Sequence, residues 1–364
     1  MPEVILLSQF ELPYDKIGSW TTMYNYYLQK EHKIDYIICP EPKVQNQTVR
    51  YSVVKGSFIT KSKKKVLNKR YLAHLNALEA IIEPDKKYVI QLIDNFGIVA
   101  HLEQLLNDKY IRSNFYIQFF YHGFPPFYNN LKGRPFFISI DEMVLLTNDS
   151  YKEHLEFYTA LPCRFSVQHN GVDRHVFKPL KAEEKNALKE ELGVANKTVF
   201  LWCSQDRPKK GLDLILDVWK RVYQQNDNMV LWIIGAERNT SIPGVEFIGK
   251  VAHDKIHRYY QASSIYLFPA LNKEGFGLSL IEALSCGNMC IASSSGGIPE
   301  VLKYGDYGHL IERPNFLEDW AMAIKKAQND LNDFQTKLPE GLYDLDGWCR
   351  EMNEKINNAL ISLS

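Results

Sequence analysis

An excess of charge of either sign and long apolar runs are both missing from this 364-residue chain. Its 43 Lys and Arg residues equal its 43 Asp and Glu residues, which excludes a global electrostatic preference for nucleic acid, so any basic surface must be local. No apolar run approaches the ~20 residues that span a bilayer, and the apolar stretch at 4–7 is too short for a secretion signal. We therefore expect a soluble, cytoplasmic protein.

Cysteine and metal-binding motifs are also sparse. The six cysteines are scattered, and no second pair accompanies Cys286 and Cys290 to complete a zinc-type arrangement. Several cysteines lie in apolar, strand-like runs, which is typical of reduced, buried thiols. The one Asp-x-Asp, at 344–346, lies in the C-terminal tail rather than after a predicted strand. The sequence therefore predicts neither a bound metal nor another cofactor.

The length of the chain exceeds what one compact core holds and predicts two domains of ~150–200 residues. Apolar strands alternate with helical patterns in both halves, which is typical of parallel sheets covered on both faces. The first half has predicted strands at 3–8, 35–39, 88–93, 115–121 and 143–147, and predicted helices at 18–29, 68–82 and 99–107. The second half has predicted strands at 199–203, 229–234, 245–248, 264–268 and 289–292, another near 310, and predicted helices at 212–224, 254–261 and 317–329. The fold class is therefore α/β, with two doubly wound units that bind ligands at the carboxyl ends of their strands.

The nine-residue string Glu-Gly-Phe-Gly-Leu-Ser-Leu-Ile-Glu at 274–282 is the most informative stretch of the chain. It follows an apolar run and leads into a short helix that a glycine at 287 closes. Backbone N–H groups and a helix N-terminus attract phosphate, and the two glutamates can accept hydrogen bonds from hydroxyl groups. A loop that can bind phosphate and that also carries two carboxylates for hydroxyl groups suits a nucleotide-sugar.

Two glutamates separated by seven residues, with Gly-Phe-Gly behind the first, closely resemble the pattern of glycosyltransferase family 4. The resemblance implies the GT-B fold, in which two Rossmann-like domains face a central cleft. It also implies a retaining, metal-independent hexosyltransferase that uses a nucleotide-sugar donor, with a role in cell-surface polysaccharide biosynthesis. It covers residues 168–310 well and the N-terminal half only weakly.

The domain junction is predicted near the turn sequence Asn-Gly-Val-Asp at 170–173, which also resembles the family's junction. The N-terminal, acceptor-side domain is predicted to cover 1–172, and the nucleotide-sugar-binding domain 173–344. The amphipathic C-terminal segment resembles the family's last helix, so residues 345–364 are expected to cross back onto the N-terminal domain.

A basic loop follows the predicted strand 199–203. Members of the family usually place an arginine directly after this strand and a lysine just before the next glycine. Lys210 matches the lysine, whereas Ser204 stands in the place of the arginine and Arg207 lies farther along. Two cations and a helix N-terminus can stabilise the charge of a departing nucleoside diphosphate without Mg²⁺.

The catalytic residues that these patterns imply are Glu274, His122, Lys210 and Arg207. His122 follows the predicted strand 115–121, where the family has a histidine that contacts the donor sugar. The donor-binding residues that the resemblance implies are Glu282, Gly275, Phe276, Gly277, Leu278, Gly18, Ser204, Lys250 and Val251. The Gly-Gly-Ile-Pro-Glu segment at 296–300 is interpreted as a structural turn at the start of a helix.

A local cluster of cations occupies the N-terminal half, in spite of the zero net charge. Such runs are usually only solvated faces, and a solvated face without a role stays open here beside the binding of an anionic acceptor or an anionic membrane surface. The cluster consists of Lys61, Lys63, Lys64, Lys65, Lys69 and Arg70.

These patterns predict a glycosyltransferase that acts on a glycan or lipid-linked acceptor in the cytoplasm, at the inner membrane face if the basic cluster binds lipid. A nucleotide-sugar epimerase on the same architecture and a non-catalytic nucleotide-sugar-binding protein are the alternatives. The donor base (UDP, GDP or ADP), the sugar and the acceptor stay open at this point.

Overall fold

Two parallel sheets, each in its own unit, organise the computed structural model of this chain. The structure describes residues 2–14, 18–54, 71–126, 133–158, 161–224, 228–331, 333–334 and 338–364. The first unit comprises Met1–Asn170 together with Asp346–Ser364, and the second comprises Gly171–Leu345.

The first unit contains a seven-stranded sheet in the order β3-β2-β1-β4-β5-β6-β7, and every neighbouring pair is parallel. Its strands are β1 (Glu3–Leu7), β2 (Tyr36–Cys39), β3 (Arg50–Val53), β4 (Tyr88–Ile93), β5 (Phe115–Tyr121), β6 (Glu142–Leu145) and β7 (Arg164–Val167). The described helices of this unit are Ser19–Tyr27, Leu72–Glu79, Phe96–Lys109, Arg134–Ile138 and Asn148–Leu155, with a 3₁₀ turn at Arg112–Asn114.

The C-terminal helix Leu345–Ser362 packs on the first unit. The indole ring of Trp348 lies edge-on against Tyr24 and Tyr27, with ring centroids 5.5 and 5.8 Å apart. The Tyr27 hydroxyl donates a hydrogen bond to the side-chain oxygen of Asn353 at 2.5 Å. Because Tyr24, Tyr27 and Trp348 are all buried, the last helix completes the hydrophobic core of the unit in which the chain begins.

The second unit contains a six-stranded, fully parallel sheet in the order β10-β9-β8-β11-β12-β13. Its strands are β8 (Thr198–Cys203), β9 (Met229–Ile234), β10 (Val245–Gly249), β11 (Ile265–Phe268), β12 (Met289–Ser293) and β13 (Gly308–Ile311). Its described helices are Ala182–Glu191, Leu212–Tyr223, His253–Ala262, Leu278–Ser285, Ile298–Val301 and Leu317–Asp330, with 3₁₀ turns at Pro208–Lys210 and Lys303–Gly305. Trp219 and Trp320, from two of these helices, are fully buried in one cluster with the sheet residue Phe200.

All the predicted strands are present, because strands of a parallel sheet that are buried on both faces read as continuous apolar runs. All six residues of β9 are buried, for example. Two strands were not predicted, namely β3 and β7, which form the two edges of the first sheet. Each has four residues, the first exposed and the others only partly buried, so neither shows an apolar run.

Candidate active site

The order of strands reverses in the middle of the second sheet, between β8 and β11. From β8 the chain proceeds to β9 and β10 on one side, then returns to β11 on the other side of β8. The two strands pair directly, with Phe200 opposite Ile265 and Leu201 opposite Tyr266. Sheets of this kind bind ligands at the carboxyl ends of the two strands where the order reverses. The loops that leave these two ends carry several of the residues predicted to act on the donor, among them Lys210 and Glu274.

Lys210 and Glu274 meet at this point, although 64 residues separate them in sequence. The Lys210 Nζ atom donates a hydrogen bond to Glu274 Oε1 at 2.5 Å. Their side chains are 22% and 16% exposed, so both charges are reachable from solvent but largely shielded. The sequence predicted each residue for the site, and the structure brings them into direct contact.

A glycine allows the two loops to approach each other. Gly211 directly follows the 3₁₀ turn Pro208–Lys210 and has a φ of +68°. A Cβ atom at this position would overlap the carbonyl oxygen of Pro269 in the other loop. The backbone N–H of Leu271 then donates to the Lys209 carbonyl at 2.8 Å. The close approach of the two loops therefore fixes the backbone beside Lys210.

The backbone of Glu274 is held by a third loop, which follows β12. Glu274 and Gly296 form an isolated parallel bridge, and the Gly297 N–H donates to the Glu274 carbonyl at 2.8 Å. Gly296 has a φ of +66°, and a Cβ there would overlap that same carbonyl oxygen. The Gly-Gly-Ile-Pro-Glu segment, interpreted from the sequence as a structural turn, thus also positions the backbone of a predicted catalytic residue.

The rest of the predicted donor loop connects Glu274 to the helix Leu278–Ser285. Gly275 is buried, and Phe276 is buried edge-on against Tyr343 with ring centroids 5.4 Å apart. Gly277 is the residue that precedes the helix, and Leu278 at its first position is partly exposed. Phe276 therefore anchors the loop in the core. The N–H groups at the start of the helix follow Glu274 by only a few residues.

Glu282, one turn into the helix Leu278–Ser285, is a partly exposed residue with a poorly solvated carboxyl group. Burial raises the pKa of Glu282 to about 7, and interaction with the Tyr260 hydroxyl opposes part of this rise. The carboxyl interacts electrostatically with Cys203, the last residue of β8, so Glu282 lies close to the carboxyl end of that strand.

The raised pKa predicts how stability depends on pH. Between about pH 4.5 and 7 the folded protein keeps a proton on Glu282 that the unfolded chain has released, so the free energy of unfolding falls as pH rises through this window. The Glu282→Gln variant lacks this group. Relative to wild type, we expect it to gain about 1–3 kcal/mol of stability between pH 5 and pH 8.

Chemical denaturation at the two pH values measures this difference. Glu191→Gln is the matched control, because the Glu191 side chain is 61% exposed and should leave the pH dependence of wild type unchanged. Parallel pH profiles for wild type and Glu282→Gln would contradict the burial of this carboxyl group.

Ser204 and Arg207, in the loop after β8, are not brought into contact with Glu274. Ser204 is partly exposed, and its backbone N–H donates to the Ile234 carbonyl at 3.1 Å. Arg207 is exposed, and its side chain has no hydrogen bond or ion pair within the part of the chain that the structure describes. Its guanidinium group thus remains available to an anion at the mouth of the site.

Sequence reasoning missed Arg238, which fixes the same loop from the side. Its guanidinium group makes two parallel hydrogen bonds to Asp206, at 2.7 and 2.8 Å, and pairs also with Asp213. The arginine holds the pKa of Asp206 below its ordinary value. The sequence signal that could have identified Arg238 is its position shortly after the strand β9, at the same edge of the sheet as the other site residues.

Lys250 and Val251 follow β10 at this edge, but farther from Lys210. Strand β9 lies between β10 and β8, which places the two strands about 10 Å apart. Lys250 is exposed and Val251 is partly buried. The structure therefore places them on the predicted edge without contact to the Lys210–Glu274 pair.

His122 and Gly18 belong to the first unit, where they follow β5 and β1. The Asp94 carboxylate accepts hydrogen bonds from the His122 backbone N–H at 2.8 Å and lies 3.2 Å from the His122 Nδ1 atom. Asp94 follows β4 with a φ of +50°, and the His122 side chain is only 14% exposed. Gly18 precedes the helix Ser19–Tyr27, and β1 and β4 are neighbours at the reversal point of this sheet.

Asp94 was not predicted, and a substitution tests whether it positions the histidine. Asp94→Asn keeps one oxygen for the His122 backbone N–H, and asparagine tolerates the left-handed backbone well. It removes the negative charge beside Nδ1, so we expect about three- to tenfold lower turnover with little change in stability. Steady-state kinetics and thermal melting measure both quantities. Asp217→Asn, which removes an exposed pair with Lys220, should leave turnover unchanged.

The predicted basic cluster at 61–70 lies outside the described residues. Among the residues that the structure does describe, no group of three or more His, Cys, Asp or Glu side chains is placed to hold a metal ion. Within the same ranges, no helix combines the length and the apolar character needed to cross a membrane.

Solved structures identify the architecture. Sucrose-phosphate synthase from Thermosynechococcus elongatus matches with a TM-score of 0.73 and 17% identity, over 100% of both chains. Anabaena HepE, solved in complex with UDP and glucose, matches with a TM-score of 0.72 and 14% identity, over 98% of this chain and 100% of its own. The fold is therefore GT-B, as the resemblance predicted, and its two parallel sheets have seven and six strands.

Sequence comparison shows which proteins the second unit is similar to. Residues 197–330 match the model of the family described as Glycosyl transferases group 1. The D-inositol 3-phosphate glycosyltransferase of a Nocardioides species is 26% identical over 229 residues, which are 55% of this chain and 48% of the relative. The chain spans about half the length of the curated relatives that it matches. The predicted resemblance to glycosyltransferases is thereby confirmed.

Proposed function

We propose that this protein is a retaining, metal-independent glycosyltransferase of family 4 that transfers a hexose from a nucleotide-sugar to a glycan or lipid-linked acceptor. The observation that carries the proposal is the contact between Lys210 and Glu274 at the reversal point of the second sheet. A cation and a carboxylate at one point suit a ligand with a diphosphate next to a polyol. The match of residues 197–330 to Glycosyl transferases group 1 supports the same chemistry.

The leaving group is the part of the donor that needs the most stabilisation. Cleavage of the bond between the anomeric carbon and the phosphate oxygen leaves an additional negative charge on the nucleoside diphosphate. Lys210, the N–H groups at the start of the helix Leu278–Ser285 and the exposed Arg207 supply positive charge for it. These groups act on the developing charge, and therefore lower the barrier more than they strengthen substrate binding.

The carboxylates orient the rest of the donor. Glu274 accepts hydrogen bonds from hydroxyls of the sugar, and Glu282 from hydroxyls of the ribose. His122, held by Asp94, donates a hydrogen bond to a sugar hydroxyl. The acceptor attacks the face that the diphosphate leaves, and the departing phosphate assists removal of the acceptor proton, so the configuration at the anomeric carbon is retained.

The similar proteins narrow the substrates that deserve testing first. The structure of Anabaena HepE contains UDP and glucose, and the name of the Nocardioides relative specifies D-inositol 3-phosphate. We infer that a nucleotide-sugar is the donor here, and that the acceptor is a glycan or a lipid-linked precursor of a cell-surface polysaccharide. In this proposal the protein works in the cytoplasm, and the basic cluster at 61–70 binds the anionic acceptor or the inner membrane face.

Incubation of the full chain with labelled UDP-, GDP- and ADP-sugars, with and without soluble and lipid-linked acceptors, tests the proposal. We expect transfer that depends on the acceptor, survives EDTA, and gives a product whose anomeric configuration matches that of the donor. Formation of an epimer without acceptor would indicate an isomerase, and binding without turnover would indicate a non-catalytic protein. Loss of activity with EDTA and recovery with Mg²⁺ or Mn²⁺ would contradict metal independence.

A further inference from the structure

The lysine and the glutamate of the proposed donor site neutralise each other in the free protein. The Lys210 Nζ atom lies 2.5 Å from Glu274 Oε1, and both side chains are less than a quarter exposed. The backbone of each residue is fixed, because Trp202 Nε1–H donates to the Lys210 carbonyl and the Gly297 N–H donates to the Glu274 carbonyl. The loop backbones therefore hold the two residues next to each other, in contrast to an ion pair between long, exposed side chains.

A nucleoside diphosphate that approaches Lys210 competes with this carboxylate. The phosphate oxygens and the Glu274 oxygens both accept hydrogen bonds from the Lys210 ammonium group. Because both groups are negative, they also repel each other at short range. The lysine side chain has several rotatable bonds, so its ammonium group can change partners without movement of the loops. Once Lys210 turns to the phosphate, Glu274 must find hydrogen-bond donors elsewhere, since a shielded carboxylate without a partner is costly.

We propose that donor binding is an exchange of partners, in which Lys210 passes from the Glu274 carboxylate to the diphosphate and Glu274 passes to hydroxyls of the sugar. The exchange rests on the proposed function. A nucleotide-sugar supplies partners for both charges, whereas a free nucleoside diphosphate supplies a partner only for Lys210 and leaves Glu274 unpaired beside the phosphates. Glu274 thus makes the site selective for the intact donor and weakens its hold on the product nucleotide.

The exchange predicts an unusual effect of the Glu274→Gln variant. Removal of the carboxylate charge frees Lys210, so the variant should bind the free nucleoside diphosphate about three- to tenfold more tightly than wild type, although it transfers sugar more slowly. A residue that only contacts the sugar would leave the affinity for a sugar-free nucleotide unchanged. Isothermal titration calorimetry of the full chain with UDP, GDP and ADP measures this affinity.

Two controls isolate the pair. Glu191→Gln is the same substitution in another ion pair of the second unit, where Arg258 lies 2.5 Å from Glu191, and it should not alter nucleotide affinity. The gain from Glu274→Gln should disappear when Lys210 is also replaced by Gln, because the freed lysine is its source. Thermal melting verifies that each variant is folded, and Glu274→Ala takes the place of Glu274→Gln if that variant melts early.

The outcomes separate this inference from the function on which it rests. Nucleoside diphosphate binding by Glu274→Gln that equals or falls below that of wild type overturns the exchange and leaves the transferase proposal intact. A gain that persists in the double variant also overturns it, because general removal of negative charge would then be the cause. Wild-type protein that binds none of the three nucleotides and transfers no sugar would overturn both proposals.

Discussion

Replacement of Lys210 by Ala is expected to lower turnover by at least tenfold, and by as much as about a hundredfold, with a smaller effect on the KM for the donor. The ammonium group lies at the reversal point of the second sheet, where it can stabilise charge that appears only as the sugar leaves. The substitution also leaves Glu274 without a partner in the free protein. Because the donor hydroxyls then supply partners for this carboxylate, donor binding should weaken less than turnover.

Lys209→Ala is the matched control for this prediction. Lys209 belongs to the same 3₁₀ turn and is exposed, and its contact to the neighbouring loop uses only its backbone carbonyl. The Lys209→Ala variant should therefore keep near-normal turnover. Steady-state kinetics with the donor found in the transfer assay compares the two variants, and equal activity of both would remove Lys210 from the site.

The second large effect is expected from Gly296→Ala. This residue needs a left-handed backbone, and an added Cβ would overlap the Glu274 carbonyl oxygen. We expect a loss of about 2–4 kcal/mol in the free energy of unfolding, since the overlap adds to the backbone strain. The backbone of Glu274 must shift to relieve the overlap, so turnover should fall by at least about tenfold.

The Gly193→Ala variant distinguishes the cost of the left-handed backbone from the effect of displacing the Glu274 backbone. Gly193 has a φ of +75°, close to that of Gly296, but a Cβ at Gly193 would have no heavy atom within 4 Å apart from those of the adjacent residues in the chain. The Gly193→Ala variant should therefore show only the cost of the left-handed backbone, about 1–2 kcal/mol, and keep its turnover. Urea denaturation and kinetics measure both effects. Similar losses in the two variants would mean that contact with the Glu274 loop is unimportant.

The sequence predicted the individual residues of the second unit better than their contacts. Buried parallel strands such as β9 show as continuous apolar runs, and the glycines and carboxylates of the string at 274–282 predict a donor loop. The pairing of Lys210 with Glu274 depends on β8 and β11 being neighbours. Packing of the whole unit sets the order of strands in a sheet. The sequence around Lys210 or Glu274 therefore does not show that the two residues are in contact.

The same limit explains the missed residues of the first unit and the edge strands. Asp94 is one acid after an apolar run, and its importance follows only from the adjacency of β4 and β5, which brings it to His122. Strands β3 and β7 pair on one side only and are partly exposed, so local composition does not distinguish them from loops. In the second unit, Arg238 was missed because its partners, Asp206 and Asp213, belong to a different loop and helix.

The return of the C-terminal helix to the first unit has a consequence for protein synthesis. Roughly 175 residues of the second unit lie between Asn170 and the helix that buries Tyr24 and Tyr27. At about 5–20 residues per second, the ribosome needs on the order of ten to thirty seconds to supply Trp348 after the rest of the first unit has been made. The second unit closes at the end of that interval, since Val172 hydrogen-bonds to Tyr343 and Leu345, which lie only a few residues before Trp348. The first unit therefore acquires its complete core only after the whole of the second unit has been made, although most of its residues precede the second unit in the chain.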